Sequence, residues 1–241
     1  MEKGEDALRP GTPPPSGGGE RPATAPWWFR LLLIFAGLAA WFWTQSLIGA
    51  RQFPGDRIGD GLHEWSAPAN AFLHGHPAWA DGLLITSSAL IDSLGFFLLA
   101  RSVFWPTIRP FLGLMILLGL RQIFQGLCAL PAPEGMIWRY PGFPSLLVTY
   151  GVSNDLFFSG HTGVAVFGAV ELGRIGRRWL TSIAVAVAAF EVATVLVLRA
   201  HYTMDVFAGA VTAMLVAVIV AYLAPPCDQA LGRAFAHFRP R

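Results

Sequence analysis

The sequence predicts an all-α protein that crosses a membrane several times, and three observations support this fold class. Of the 241 residues, 54% are hydrophobic and 13% are charged, whereas a soluble domain typically has about 25% charged residues. The mean hydropathy is +0.51. The hydrophobic residues are concentrated in six separate windows. The net charge of +2 is too small to indicate a nucleic-acid partner.

Each of the six windows is a candidate for a helix that crosses a bilayer, which takes roughly 20 apolar residues. They are residues 27–48, 82–104, 111–130, 156–172, 179–198 and 206–223. Residues 1–26 are rich in Pro, Gly and charge, so we expect a disordered cytoplasmic tail there. Residues 27–224 then form a six-helix transmembrane domain, and residues 225–241 form a short basic cytoplasmic tail.

The distribution of Lys and Arg predicts that both termini are cytoplasmic. With a cytoplasmic N-terminus, twelve of the 17 basic residues lie on the cytoplasmic side and four lie on the other side. Arg121 lies inside the third window. Cytoplasmic loops are enriched in basic residues, which favours this orientation. The fourth and sixth windows then both begin at the non-cytoplasmic face, which is periplasmic in a bacterium and lumenal or extracellular in a eukaryote.

Two short polar motifs open the fourth and sixth windows, and the predicted topology brings them to the same membrane face. The first, "NDLFFSGHTG", contains Asp155, Ser159 and His161. In the second, "AHYTMDVFAG", Asp205 follows His201 by four residues, so the two share one face of a helix. Taken alone, each motif has a plain structural interpretation, as a helix cap or as a hydrogen-bonded pair at a helix end.

Together the motifs predict phosphoryl-transfer chemistry. A carboxylate that accepts a hydrogen bond from one imidazole nitrogen raises the basicity of the other, which suits His201 to nucleophilic attack. Unpaired N–H groups at a helix start attract anions, so Ser159 and Gly160 are candidates for phosphate binding. His161 would protonate the departing alcohol. Asp155 would orient the His161 ring or accept a proton from an attacking hydroxyl. This chemistry calls for no metal and no cofactor.

The motifs resemble those of the sphingomyelin synthase family, a branch of the type 2 lipid phosphate phosphatase superfamily. The similar elements are D-x3-S-G-H-T, which begins at Asp155, and H-Y-T-x-D-V, which begins at His201. R-x8-L-P-x-P, which begins at Arg121, is similar to a segment that precedes them in those synthases. The resemblance covers residues 121–223 and implies a lipid phosphatase-like helical core.

The resemblance implies an enzyme that moves phosphocholine or phosphoethanolamine from a glycerophospholipid to ceramide and releases diacylglycerol. His201 would be the nucleophile, Asp205 its partner and His161 the proton donor. We further predict that the substrate contacts Asp155, Ser159, Gly160, Tyr202 and Arg121. The expected partners are membrane lipids, with ceramide or diacylglycerol as acceptor, and no protein partner is required.

The alternative is a lipid phosphatase or phospholipase C-like hydrolase that uses water as acceptor with the same triad. The chain departs from the synthases at Ser153-Asn154, where they usually have Cys-Gly. It departs from the water-using phosphatases at Phe158 and Val195, where they usually have Pro and Arg. A non-catalytic lipid transporter is a third interpretation, which the intact histidine and aspartate set disfavours. The sequence does not distinguish choline from ethanolamine.

For several other polar residues the sequence leaves the role open or predicts no functional role. Arg121 either pairs with Glu191 within the membrane or holds the lipid phosphate. Asp92, in the second window, has no assigned role. We interpret the histidines of the outer loop, His63, His74 and His76, as solvated.

Overall fold

The structure, a computed structural model, describes residues 58–236 apart from 129, 149 and 151–155, and also the single positions 36, 39 and 43. The chain divides into two compact units, Met1–Gly55 and Asp56–Arg241. In the first unit, Ala36, Ala39 and Trp43 are helical. The predicted tail and most of the first predicted span lie outside the described residues.

The described part of the second unit consists of α-helices and connecting segments without a strand, as the sequence predicts. Its helices are α1 (Gly61–Trp65), α2 (Ala67–Gly75), α3 (Pro77–Phe104), α4 (Arg109–Leu127), α5 (Gly160–Gly173), α6 (Arg178–Val197) and α7 (Thr203–Ala236). α7 contains Pro225 and Pro226, so the helix continues past residue 224, where the sequence places the end of the membrane domain.

Four of the described helices, α3, α4, α6 and α7, are long and apolar enough to cross a membrane. They cover the second, third, fifth and sixth predicted windows. The fourth window folds differently, because residues 156–159 are not helical and α5 has only 14 residues. At 1.5 Å per residue α5 is about 21 Å long, shorter than a hydrocarbon core of about 30 Å. Six spans are therefore not confirmed.

α5 lies at the centre of the bundle and packs against α3, α4, α6 and α7. Two glycines allow its close packing. A Cβ atom on Gly168 would overlap the side chain of Leu94 on α3, and one on Gly113 of α4 would overlap the ring of Phe167. Both Phe167 and Val164 belong to the main buried hydrophobic cluster. α5 is thus held in place by direct contact with its neighbours rather than by its length.

The end of α5 is fixed by a network of arginines around Glu171, which is fully buried. Arg109 donates from Nε and Nη2 to the two carboxylate oxygens, at 3.1 and 3.0 Å. Arg174 Nε lies 3.5 Å from the same carboxylate, and Arg101 donates to the backbone carbonyl of Glu171 at 3.1 Å. We call this the ion-pair end of the bundle and the other end, where α5 and α7 begin, the motif end.

Candidate active site

The first turns of α5 and α7 are in direct contact, and this contact brings the two sequence motifs together. Ser159 caps α5, its Oγ accepting from the backbone N–H of Thr162 at 3.3 Å. The N–H of Ser159 donates to the carbonyl of Asp205 on α7 at 3.1 Å. A Cβ atom on Gly209 would lie 2.6 Å from the Ser159 carbonyl oxygen, so only glycine permits this approach. The predicted convergence of the motifs is therefore seen in the structure.

His201 lies in the turn between α6 and α7, and a backbone carbonyl determines its tautomer. Its Nδ1 lies 2.8 Å from the carbonyl oxygen of Leu156. A carbonyl only accepts hydrogen bonds, so Nδ1 carries the proton in the neutral ring and Nε2 carries the lone pair. The ring is buried, and His201 lines the cavity described below. Nε2 is thus the nitrogen available for nucleophilic attack.

Asp205 is close to His201 but does not hydrogen-bond to it, contrary to the interaction that the sequence suggests. Its Oδ2 lies 3.9 Å from Nδ1 of His201 and accepts from the N–H of Tyr202 at 2.9 Å. Its Oδ1 has no hydrogen-bond partner among the described residues. The carboxylate is fully buried. A buried negative charge at this distance stabilises positive charge on the imidazole electrostatically, while Leu156 orients the ring.

His161 lies in the first turn of α5, and one of its ring nitrogens is available for a substrate. The side chain is buried, and Nε2 has no hydrogen-bond partner among the described residues. The ring meets Trp138 edge to face, with 5.4 Å between the ring centroids. A buried polar atom without a partner is costly, and a substrate oxygen would satisfy it.

Arg121 projects from α4 onto the start of α5. Its Nε donates to the carbonyl of Phe158 at 3.0 Å. A Cβ atom on Gly160 would lie 2.9 Å from this Nε, so the glycine leaves the space that the guanidinium occupies. Glu191 accepts instead from Ser87 Oγ at 2.6 Å, so the alternative Arg121–Glu191 pair is not formed. Arg121 lines the cavity described below together with His161 and His201, and its role in phosphate binding stays a prediction.

A cavity of about 470 Å³ joins these groups. Its polar end is formed by Arg121, Gly160, His161, His201, Gln122 and Gln125, and Trp138 lies in its wall. The rest of its lining is apolar and comes mostly from α3, α4 and residues 146–148, together with Met136, Leu156, Val164 and Ala200. Two histidines and an arginine thus line one cavity, an arrangement that could bind an anionic group and transfer protons to or from it.

Three predicted substrate contacts are not seen at the cavity. Asp155 lies outside the described residues. Ser159 Oγ is engaged as the helix cap, and its side chain is fully buried. The hydroxyl of Tyr202 donates to the carbonyl of Pro131 at 3.1 Å, and Tyr202 is not among the cavity-lining residues. Contacts of these residues with substrate remain predictions.

Residues before α3 support the His201 turn, a role that the sequence did not predict for them. The Asp60 carboxylate accepts from the N–H and the hydroxyl of Thr203, both at 2.6 Å. Nε2 of His63 lies 2.9 Å from the carbonyl oxygen of His201, and His63 is buried rather than solvated. The only sequence signal was an aspartate directly before a short helix, which predicts a cap. It could not reveal the partner more than a hundred residues away.

Arg199 completes this support from the end of α6. It is a non-glycine residue with a φ of 53°, a left-handed conformation that ordinarily favours glycine. Its guanidinium donates to the carbonyls of Glu134 at 2.6 Å and His63 at 3.2 Å. The side-chain contacts explain why arginine occupies this position, since they tie together three segments around His201.

The fold and the site define a class, namely a helical membrane protein in which two buried histidines and a partly buried arginine lie at the polar end of a cavity between spanning helices. The family model AtPDCT1/2 matches residues 64–222, well over half of the chain, and the chain therefore belongs to this family. The family is one of phosphatidylcholine:diacylglycerol cholinephosphotransferases. No curated protein and no solved structure gives a significant match.

Family membership agrees with the prediction of a membrane enzyme that transfers lipid headgroups. A membrane enzyme of the lipid headgroup phosphotransferase type, which acts on lipids, is what the sequence motifs predict. The matched family is not described as sphingomyelin synthase, and nothing in the match refers to ceramide or sphingolipids.

Proposed function

We propose that the protein transfers phosphocholine from phosphatidylcholine to the hydroxyl of a neutral lipid through a phosphohistidine intermediate. The observation that carries the proposal is the geometry of His201. Its Nδ1 is bound to the Leu156 carbonyl, which leaves the lone pair on Nε2, and the ring lines the same cavity as His161 and Arg121. Membership of a cholinephosphotransferase family supports the choice of headgroup.

In the first half-reaction, Nε2 of His201 attacks the phosphorus of phosphatidylcholine. A P–N bond forms, and the P–O bond to the glycerol oxygen breaks. His161, protonated in the complex with the anionic lipid phosphate, donates its proton to that oxygen, so diacylglycerol leaves as a neutral alcohol. Arg121 binds the phosphate oxygens, and the Asp205 carboxylate stabilises the positive charge that develops on the His201 ring.

The second half-reaction reverses these steps with a new lipid. His161, now neutral, accepts the proton of the acceptor hydroxyl, whose oxygen attacks the phosphorus. The P–N bond breaks, and His201 returns to its original tautomer. With diacylglycerol as acceptor the overall reaction is an exchange of headgroups between two diacylglycerols.

Diacylglycerol is the acceptor that the matched family supports, and ceramide is the acceptor that the resemblance to sphingomyelin synthases supports. We propose diacylglycerol first, because the family match covers residues 64–222 whereas the motif resemblance covers residues 121–223. The proposal also keeps the site on the non-cytoplasmic face, which the distribution of Lys and Arg supports.

The test uses purified protein in vesicles of phosphatidylcholine and phosphatidylethanolamine, with deuterated diacylglycerol or deuterated ceramide added in separate reactions. Mass spectrometry follows the deuterium into phospholipid. We expect deuterated phosphatidylcholine with wild-type protein and none with His201→Ala. His76→Ala is the matched control, because His76 is exposed and its Nδ1 bonds to the Phe72 carbonyl of the preceding turn.

Each other product has a defined meaning. Deuterated phosphocholine-ceramide would show that ceramide is an acceptor, as in the sphingomyelin synthases. Deuterated phosphatidylethanolamine would show that phosphoethanolamine is the transferred headgroup. Phosphocholine released into water without an added acceptor would identify a hydrolase and contradict the transferase.

A further inference from the structure

The cavity at the histidines continues into an apolar arm between α3 and α4. On α4 it is lined by Leu114, Leu118, Arg121 and Gln125, which recur every three or four residues and so share one face of the helix. On α3 it is lined by Ile91, Gly95 and Leu99, again at a spacing of four. The polar residues lie toward the end of α4 near the histidines, and the leucines lie toward the ion-pair end.

The arm has the depth of one lipid leaflet. Eleven residues of helix separate Gln125 from Leu114, which is about 16 Å. The hydrocarbon core of a bilayer is about 30 Å thick, so one leaflet of acyl chains is about half of that. α4 is one of the helices that can cross a membrane, and the arm follows its axis. A group bound at the histidines could therefore extend a hydrocarbon chain along the arm.

The cavity also reaches the outer surface of the bundle. Three of its lining residues are exposed: Met115 at 45%, Leu146 at 64%, and Gln122. Gln122 and Met115 lie on α4, so this opening is on the side of a spanning helix and faces the surrounding lipid. An uncharged polar amide at such an opening suits the interface between a lipid headgroup and its acyl chains.

Residues 145–148, which we call the strap, form one wall of the arm. The strap is not helical, although it lies beside the midpoint of α3. Asp92, in the middle of that helix, accepts from the N–H groups of Leu146 at 2.8 Å and Leu147 at 2.9 Å. Leu147 packs directly on Gly95, where a Cβ atom would overlap it.

Irregular backbone at membrane depth is tolerated only where its polar groups are satisfied inside the protein. Asp92 is buried, with 9% of its surface exposed, and supplies the acceptors that the strap needs. This explains an aspartate within a spanning helix, to which the sequence assigned no role. The hydrogen bonds to Asp92 also fix the strap as part of the cavity wall.

We propose that the apolar arm binds one acyl chain of the phospholipid donor while the phosphate lies at Arg121 and the histidines. The strap, held by Asp92, closes the arm on one side and shapes it. The identity of the headgroup rests on the proposed function, whereas the acyl-chain site rests on the cavity itself. A lipid is the occupant because the arm is apolar, opens toward the membrane and is continuous with a site for an anionic group.

A substitution that fills the arm tests this assignment. Leu118→Trp places a large side chain in the cavity, and Ile123→Trp is the control, because Ile123 lies on the same helix, is 58% exposed and does not line the cavity. Headgroup transfer is measured with full-length protein in nanodiscs, with dioleoyl- and dihexanoyl-phosphatidylcholine as donors. We expect Leu118→Trp to lower turnover of the long-chain donor by at least about tenfold, with a much smaller fall for the short-chain donor. Equal effects on both donors, or no effect, would overturn the proposal.

A binding measurement separates this proposal from the proposed function. Phosphatidylcholine that carries a photoreactive diazirine in one acyl chain is crosslinked to the His201→Ala variant, which does not need to turn over. Labelled peptides are identified by mass spectrometry. Labelling of α3, α4 or the strap supports the acyl-chain site even if the wild type transfers no headgroup, in which case only the proposed function fails. Labelling confined to other helices would refute the acyl-chain site.

Discussion

In the proposed reaction, the backbone carbonyl of Leu156 determines which nitrogen of His201 attacks phosphorus. Its hydrogen bond of 2.8 Å to Nδ1 fixes the neutral tautomer. Asp205, whose Oδ2 lies 3.9 Å from Nδ1, is then free to act through its charge. Orientation and charge stabilisation are thus supplied by two different groups, and they can be separated by mutation.

The first prediction separates them at Asp205. Asp205→Asn keeps an oxygen that can accept from the Tyr202 N–H but removes the negative charge near His201. Since the charge would stabilise the phosphorylated ring in the proposed reaction, we expect headgroup transfer to fall by about 10²- to 10⁴-fold with little change in thermal stability. Transfer rates in vesicles and rapid-quench detection of phosphohistidine measure the effect.

The control is Asp81→Asn, an exposed carboxylate that pairs with Arg139. A fall of less than about threefold would mean that the Asp205 charge does not assist the reaction.

Asp60 leads to a prediction about pH. Burial raises the pKa of its carboxyl, but the hydrogen bonds from the Thr203 side chain and backbone and from the His63 N–H outweigh burial, so the pKa lies below its ordinary value of 3.8. A carboxyl with a lowered pKa in the folded state stabilises the fold above its unfolded pKa, and this stabilisation is lost as the pH falls through the folded pKa.

We therefore expect Asp60→Asn to lower the stability by at most about 1 kcal/mol at pH 6, after allowance for solvent screening, and to have a progressively smaller effect as the pH falls below 3.8. Melting temperatures of both proteins in the same detergent at pH 6 and at pH values below 3.8 measure the difference. A constant difference across this range would show that the charge of Asp60 is unimportant.

At this scale, the sequence indicated candidate residues whose side chains are capable of the proposed chemistry, and their roles stay predictions. His161, His201, Asp205 and Arg121 were identifiable because their types and spacing are uncommon in apolar segments. Leu156 was not, because any residue can supply a backbone carbonyl. The burial of His63 could not be predicted either, because it depends on the fold of a distant turn.

At the level of secondary-structure elements, the contact between α5 and α7 positions the two sequence motifs relative to each other. It joins the cap of one helix to the first turns of the other and brings His161 near His201. Because Ser159 and Gly209 meet through the backbone, the contact has no flexible side chain that could yield. Small changes there are expected to separate the reactive groups.

Gly209→Ala tests the contact. The added methyl would lie 2.6 Å from the Ser159 carbonyl oxygen, so α5 and α7 must move apart. We expect a loss of about 1–3 kcal/mol in stability and a larger proportional loss of activity. Gly232→Ala is the control, because it lies in the same helix and its Cβ has no neighbour within 4 Å. Wild-type activity in Gly209→Ala would show that this contact does not position the reactive groups.

Apolar length predicted the helices α3, α4, α6 and α7 well and the fourth window poorly. Leu156 and Phe158 extend that window, yet they are buried in a non-helical segment. Composition records that a residue is apolar but not whether it is buried as helix or as irregular backbone. The strap was missed for the same reason, since its leucines carry no sign that Asp92 will bind their N–H groups.

For the whole molecule, the prediction of orientation depends on charge distribution. Arg101, Arg109 and Arg174 all lie at the ion-pair end, together with the start of α6 at Arg178. Basic residues are enriched on the cytoplasmic side, so this end is expected to be cytoplasmic and the motif end non-cytoplasmic.

Cysteine labelling in intact cells tests the orientation. Glu64→Cys and Gly232→Cys are introduced separately after Cys128 and Cys227 are replaced by serine. Glu64 is exposed in α1, and Gly232 is exposed near the end of α7. We expect a membrane-impermeant maleimide to label position 64 without permeabilisation and position 232 only after it. The reverse pattern would invert the topology.

The 14-residue length of α5 makes the thickness of the surrounding membrane a variable of the reaction. The helix is about 21 Å long against a hydrocarbon core of about 30 Å, so we expect a headgroup to sink below the ordinary level of its leaflet to reach His161. Each ångström of such mismatch costs a fraction of a kcal/mol. We expect the protein to work faster in thin bilayers than in thick ones of the same headgroup composition. Where in a cell it is most active would then depend on the membrane as much as on its substrates.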